Sequence, residues 1–233
     1  MIKPRAAALA ARRIPEHLSD EAAMFLEPAA CVLRGINRSS VREYTSHFPV
    51  VALILGAGSM GLLHLLVLKA LNPAFRVIVS DPIEERRKLA RTLGADVVAE
   101  PGAATKDAAR QLSSGYGADV AFDTVGGAAL LSAALESTRE GGTAVLFAHA
   151  AAGHRAAFEI NSFFKHERKL LGTYSGSMKE QDETFTLLES GLLDPRRLIS
   201  HRLRLEDFTR GVELVRMQKA LKVVFTMEGS FGE

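Results

Sequence analysis

Residues 50–81 read VVALILGAGSMGLLHLLVLKALNPAFRVIVSD, and the order of residue types within them decides the fold. Val50 to Leu55 is a short apolar run rich in β-branched residues, the pattern of a strand covered on both faces in a parallel sheet. Gly56, Gly58 and Gly61 follow at once. Ser59 to about Leu71 then reads as a helix whose free N–H groups and positive dipole end face back onto the glycine turn. A second strand, Arg76 to Ser80, ends on Asp81, 20 residues after Gly61.

Each glycine at this spacing has its own physical reason. Gly56 permits the tight turn, Gly58 lets a pyrophosphate approach the backbone, and Gly61 lets the new helix lie against the strand. The helix start favours an anion, and an acid at the tip of the second strand accepts hydrogen bonds from an adenosine ribose. Strand, glycine turn, helix and acid at the right distance together predict a dinucleotide site built on Gly56, Ala57, Gly58, Ser59, Met60, Gly61 and Asp81. The acid argues for NAD over NADP: a 2′-phosphate about 4 Å from a carboxylate meets repulsion of about 4 kcal/mol at an effective dielectric near 20. Arg86 and Arg87 oppose that preference, since either can reach towards a phosphate.

The alternation continues along the chain. Pro82 opens a helix through Leu93, Ala95 to Ala99 is a third strand, and a helix near Lys106 to Ser113 leads into a fourth, Asp119 to Thr124. Gly127 to Thr138 reads as a helix ending at Gly141 and Gly142, Thr143 to Ala148 as strand five and Lys169 to Thr173 as strand six. Strand and helix in repetition specify an α/β protein with a doubly wound, six-stranded parallel sheet. Ligands of such sheets cross the carboxyl ends of the strands. Thr124 and Val125, then Ala148 and His149, are therefore cofactor-binding candidates. Beyond Gly176 come a helix to Ser190, a strand from Ile199 to Leu203, a helix from Glu206 to Met217 and a strand from Leu221 to Met227, which reads as a separate lobe. The expected organisation is residues 1–40 as a remnant of a second lobe, 41–176 as the dinucleotide-binding domain, and 177–233 as closing helices and strands.

Ahead of the sheet, Ser19 caps a short helix through Phe25, and Pro28 starts another that runs to about Arg34 and stops at Gly35. Glu27 at that junction reads either as a first-turn acid stabilising the helix end or as a metal ligand. Lys222 on the last strand reads either as a surface lysine or as a phosphate contact. His64 is a helix residue without assigned chemistry, and His149 and His154 lack the acid or cysteine that would complete a metal set. Phe163 and Phe164 read as core, and residues 165–169, KHERK, as a solvated charge run.

The chain has 233 residues, enough for a genuine core, and a net charge of +2, too mild to argue for nucleic acid. The one cysteine, Cys31, rules out an internal disulfide and reads as a small buried residue. The basic, alanine-rich opening MIKPRAAALAARR has too short an apolar run for a secretory signal, and Lys69 interrupts the longest apolar stretch. The expectation is a cytoplasmic protein with no membrane and no nucleic-acid partner.

In family order, the segments IPEHLSDEAAMFLEPAACVLRG, LGAGSMGLLHL, SDPIEERRKLARTLGADVV, FDTVGG, LLGTYSG, SGLLDPRRLISHRL and ALKVVFTMEG resemble the medium-chain, zinc-type alcohol dehydrogenases, above all the polyol and threonine branches. The resemblance implies hydride transfer between an alcohol or polyol and NAD, with zinc polarising the oxygen in full-length relatives. It maps Gly56, Gly58, Gly61 and Asp81 onto cofactor contacts, Arg86 onto the adenosine end, Lys222 near the cofactor, and Glu27 onto a glutamate close to the metal. It also implies a homo-oligomer joined by edge strands near LLGTYSG. VREYTSHFP lacks the family's glycine-aspartate turn, and the family's N-terminal cysteine, histidine-glutamate pair and cysteine-rich loop have no counterpart here. One carboxylate does not meet the three protein ligands typical of a catalytic zinc. The expected function is thus the cofactor half of such a dehydrogenase, with a non-catalytic NAD-binding protein as the alternative.

Overall fold

A computed structural model describes residues 11–44 and 49–227. The first ten residues of the basic opening, part of VREYTSHFP and the end of ALKVVFTMEG lie outside them. Six strands form the main sheet: β1 (Val51–Leu55), β2 (Arg76–Ser80), β3 (Val97–Ala99), β4 (Ala118–Asp123), β5 (Thr138–Leu146) and β6 (Lys169–Gly172). All neighbours are parallel and the order is β3-β2-β1-β4-β5-β6. The chain reverses its direction of travel between β1 and β4, which is where a doubly wound sheet opens a ligand crevice.

β1 is buried along its whole length, and its side chains divide by the period of two. Ala52 and Ile54 face one apolar cluster, shared with α1 (Asp20–Ala23), α2 (Leu26–Arg38) and α3 (Ser59–Leu71). Val51, Leu53 and Leu55 face the other, shared with α5 (Ala103–Leu112) and α6 (Ala128–Ser137). Between α3 and α5 lies α4 (Glu84–Thr92), whose Ala90 joins the first cluster. Residues 61–68 of α3 are all buried, because that helix lies between the sheet and α2.

After α6 come α7 (Ile160–Lys165) and α8 (Met178–Glu189), the latter packed on α2. β7 (Ile199–Arg204), α9 (Phe208–Arg216) and β8 (Lys222–Thr226) follow, with β7 and β8 paired in parallel as a separate two-stranded sheet. No described helix is long and apolar enough to cross a membrane.

Three local expectations are corrected. The helix expected to stop at Gly35 continues to Arg38, because Val32, Leu33 and Ile36 keep its apolar stripe in the core. That burial outweighs the cost of about 1 kcal/mol for a mid-helix glycine. Gly141 and Gly142 do not end α6; they lie inside β5, which begins at Thr138 and shifts register against β4 between Ala118 and Val120. A Cβ on Gly142 would stand 2.9 Å from Arg139 O and 3.1 Å from Ala118 O, so the glycines serve a bulge. Finally, Phe163 packs on the second cluster, but Phe164, one position further round the short α7, is exposed.

His64 on α3 is wholly buried, with Phe122 and Phe147 at ring separations of 5.0 and 4.6 Å. Its Nδ1 meets Met60 O at 2.7 Å, while Nε2 has no partner. Burial, opposed by the Met60 bond, lowers its pKa from 6.5 to about 4. The unfolded chain therefore binds a proton more readily, and stability present above pH 6.5 is lost as pH falls towards 4. The full loss is about 3 kcal/mol. His64→Leu should flatten the dependence of thermal midpoint on pH between 7 and 5; an unchanged slope would remove His64 as its source.

Candidate cofactor site

The glycine turn is closed by contact with the strand it leaves. A Cβ on Gly61 would lie 1.8 Å from Gly56 O, so the first turn of α3 rests directly on the end of β1. Gly56 itself has φ +99°, and a Cβ there would meet Val125 Cγ2 at 2.4 Å. Gly58 differs: nothing lies within 4 Å of its Cβ position, which leaves open space in front of the helix start. Ser59 and Met60 form that start and are half-buried. Thr124 buttresses the turn from β4, its Oγ1 donating to Leu55 O at 2.8 Å.

Asp81 has a role that its place in the sequence does not show. Its Oδ2 accepts the Ala57 N–H at 2.7 Å and its Oδ1 the Ile83 N–H at 2.8 Å, with only 3% of the residue exposed. The carboxylate thus pins the glycine turn to the tip of β2. Each oxygen keeps further acceptor capacity for a hydroxyl. Of the two nearby arginines, Arg87 is committed: it donates to Asp81 O, Pro82 O and Glu100 Oε1. Arg86 stands 3.9 Å from Asp81 Oδ2.

A cavity of about 320 Å³ opens here, lined by Gly56, Asp81, Arg86 and Val125 among others. Gln218 also lines it, coming from the turn after α9 with φ +58°. Sequence reasoning missed Gln218, for which its surroundings in the chain give no signal. On the other half of the sheet edge, Ala148 N–H donates to Asp123 O at 3.1 Å, and His149 stacks edge-on with Tyr174 at 5.7 Å. Lys222 does not line the cavity; its ammonium lies 5.5 Å over the Phe25 ring.

The description "zinc-binding dehydrogenase" belongs to the family profile that matches residues 59–190, more than half the chain. The chain belongs to the zinc-binding dehydrogenase family. Its relatives include the D-altritol 5-dehydrogenase of Agrobacterium fabrum, 30% identical over 185 residues, covering 79% of this chain and 52% of the relative. The L-threonine 3-dehydrogenase of Rhizobium etli is 29% identical over 215 residues, covering 91% of this chain and 59% of that one. Among solved structures, the alcohol dehydrogenase TADH of a Thermus species superposes with a TM-score of 0.82 at 30% identity, covering 93% of this chain and 61% of its own. This family member therefore spans between half and two thirds of the length of these relatives.

The metal expectation fares differently. Among the described residues no three His, Cys, Asp or Glu side chains converge on a point where a metal ion could sit. Glu27, in the first turn of α2, accepts the Cys31 thiol at 3.1 Å. Burial, then that hydrogen bond, push the thiol up to about 12. These residues alone do not fit a catalytic zinc with three protein ligands.

The two later glycines of the turn predict opposite outcomes for the same substitution. Gly61→Ala should destabilise the fold by several kcal/mol, since a backbone oxygen cannot yield to a Cβ. Gly58→Ala should leave the thermal midpoint nearly unchanged while weakening dinucleotide binding about tenfold or more. Melting curves and calorimetric titration of both variants check this.

Proposed function

We propose that this chain is the cofactor-binding half of an NAD-dependent alcohol or polyol dehydrogenase. The observation that carries the reading is the open face at Gly58, set between the half-buried start of α3 and the Asp81 carboxylate. The pyrophosphate lies against the N–H groups of Gly58, Ser59 and Met60, and the adenosine ribose against Asp81. Arg86, Val125 and Gln218 border the adenosine cavity. The nicotinamide half crosses the ends of β4 and β5, beside Thr124, Ala148 and His149. In the reaction the alcohol carbon gives a hydride to the nicotinamide and a proton is released, leaving a carbonyl compound.

NAD is preferred over NADP because the Asp81 carboxylate repels a 2′-phosphate, and Arg87 is held by backbone and Glu100 rather than free to compensate. Glu27 supplies a single donor towards metal, so turnover depends on the portion of the relatives' length that this chain does not span. Lys222 lies over the Phe25 ring, outside the lining of the adenosine cavity. β6 ends the sheet with an exposed strand, and a second copy added there extends it into a homo-oligomer. The setting is cytoplasmic, where the free Cys31 stays reduced.

Calorimetry should give NAD an affinity at least about tenfold above NADP, a conservative fraction of the Coulomb estimate. Equal affinities would reverse the assignment of Asp81. Supplying NAD, zinc and a panel of polyols and secondary alcohols separates a working dehydrogenase from a chain that binds NAD without transferring hydride. Sedimentation at a monomer mass would refute the oligomer.

A further inference from the structure

Asp123 closes β4 at the carboxyl edge of the sheet and is fully shielded from solvent. Its Oδ1 accepts the N–H groups of Val125 and Gly126 at 3.0 and 2.8 Å. Its main-chain carbonyl accepts those of Phe147 and Ala148, both at 3.1 Å. One residue therefore holds the turn after β4 and the turn after β5. The two turns also touch, since a Cβ on Gly126 would lie 2.6 Å from His149 O. Oδ2 has no hydrogen-bond partner. Native chains keep few buried acceptors in that state, because the lost hydration is not recovered.

Place in the sheet indicates what the free oxygen is for. The glycine turn at β1 and Asp81 at β2 take the pyrophosphate and adenosine, so the second nucleotide half crosses the tips of β4 and β5. That half carries the ring that exchanges the hydride, positive when oxidised and neutral when reduced. We propose that Asp123 is a positioning residue for the nicotinamide half whose uncompensated carboxylate favours the oxidised cofactor over the reduced one. It touches neither ring nor substrate. It acts through the two turns it holds and through its field, which low-dielectric surroundings transmit further than water does.

Asp123→Asn keeps an oxygen for Val125 and Gly126 and removes the charge. Because the proposal rests on the dinucleotide reading, the 233-residue chain and the variant are each titrated with NAD+ and with NADH. The affinity for NAD+ should fall relative to that for NADH by about three- to tenfold, for a separation near a nanometre, an effective dielectric near 20 and partial screening. A merely structural residue would move both affinities together, and an unchanged ratio overturns the proposal. So does failure of both Asp123→Asn and Asp123→Ser to melt as folded proteins. A wild-type chain that binds neither form removes the dinucleotide reading, and this proposal with it.

Discussion

The contact between Gly61 and the Gly56 carbonyl is the constraint on which the rest of the molecule depends. With a side chain impossible at Gly61, α3 begins against the end of β1 rather than beyond it. Only then do the free N–H groups of the helix start lie level with the tips of the neighbouring strands. Thr124 just past β4 and Asp81 just past β2 brace the same turn from either side. The buried length of α3 follows, because a helix held that closely to the sheet has α2 as its outer cover.

Much of this was legible in residues 50–81, since strand, turn and helix there differ in period and composition. Alternation of strand and helix specified a doubly wound parallel sheet, and the order β3-β2-β1-β4-β5-β6 is what the structure adds. Glycine was the ambiguous letter: at 56, 58 and 61 it marked the turn between β1 and α3, at 35 a tolerated break in a buried helix, and at 141 and 142 a strand bulge. A positive φ looks the same in sequence whether it ends a helix or bends a strand, and only the pairing of Thr138 with Ala118 separates the two.

The candidate site was legible where function depends on local spacing and illegible where it depends on partners far along the chain. Asp81 was visible as an acid at a strand tip, but its bond to Ala57 spans 24 positions. Arg86 and Arg87 are adjacent and chemically identical, yet the second is spent on backbone carbonyls and Glu100 while the first lines the cavity. Asp123 looked like an ordinary strand residue until both of its turns were seen. Lys222 read either as a surface lysine or as a phosphate contact, and its ammonium stands over the Phe25 ring, a neighbour almost 200 positions away that its place in the chain does not show.

Gln218 carries a consequence for how the molecule is made. The walls of the cavity come from residues 55–137 with this one exception, which arrives from the far end of the chain. A ribosome finishes the glycine turn long before it releases residue 218, so a nascent chain presents a trough open on one side. Only when α9 and β8 have docked does Gln218, between them, supply the trough's remaining wall.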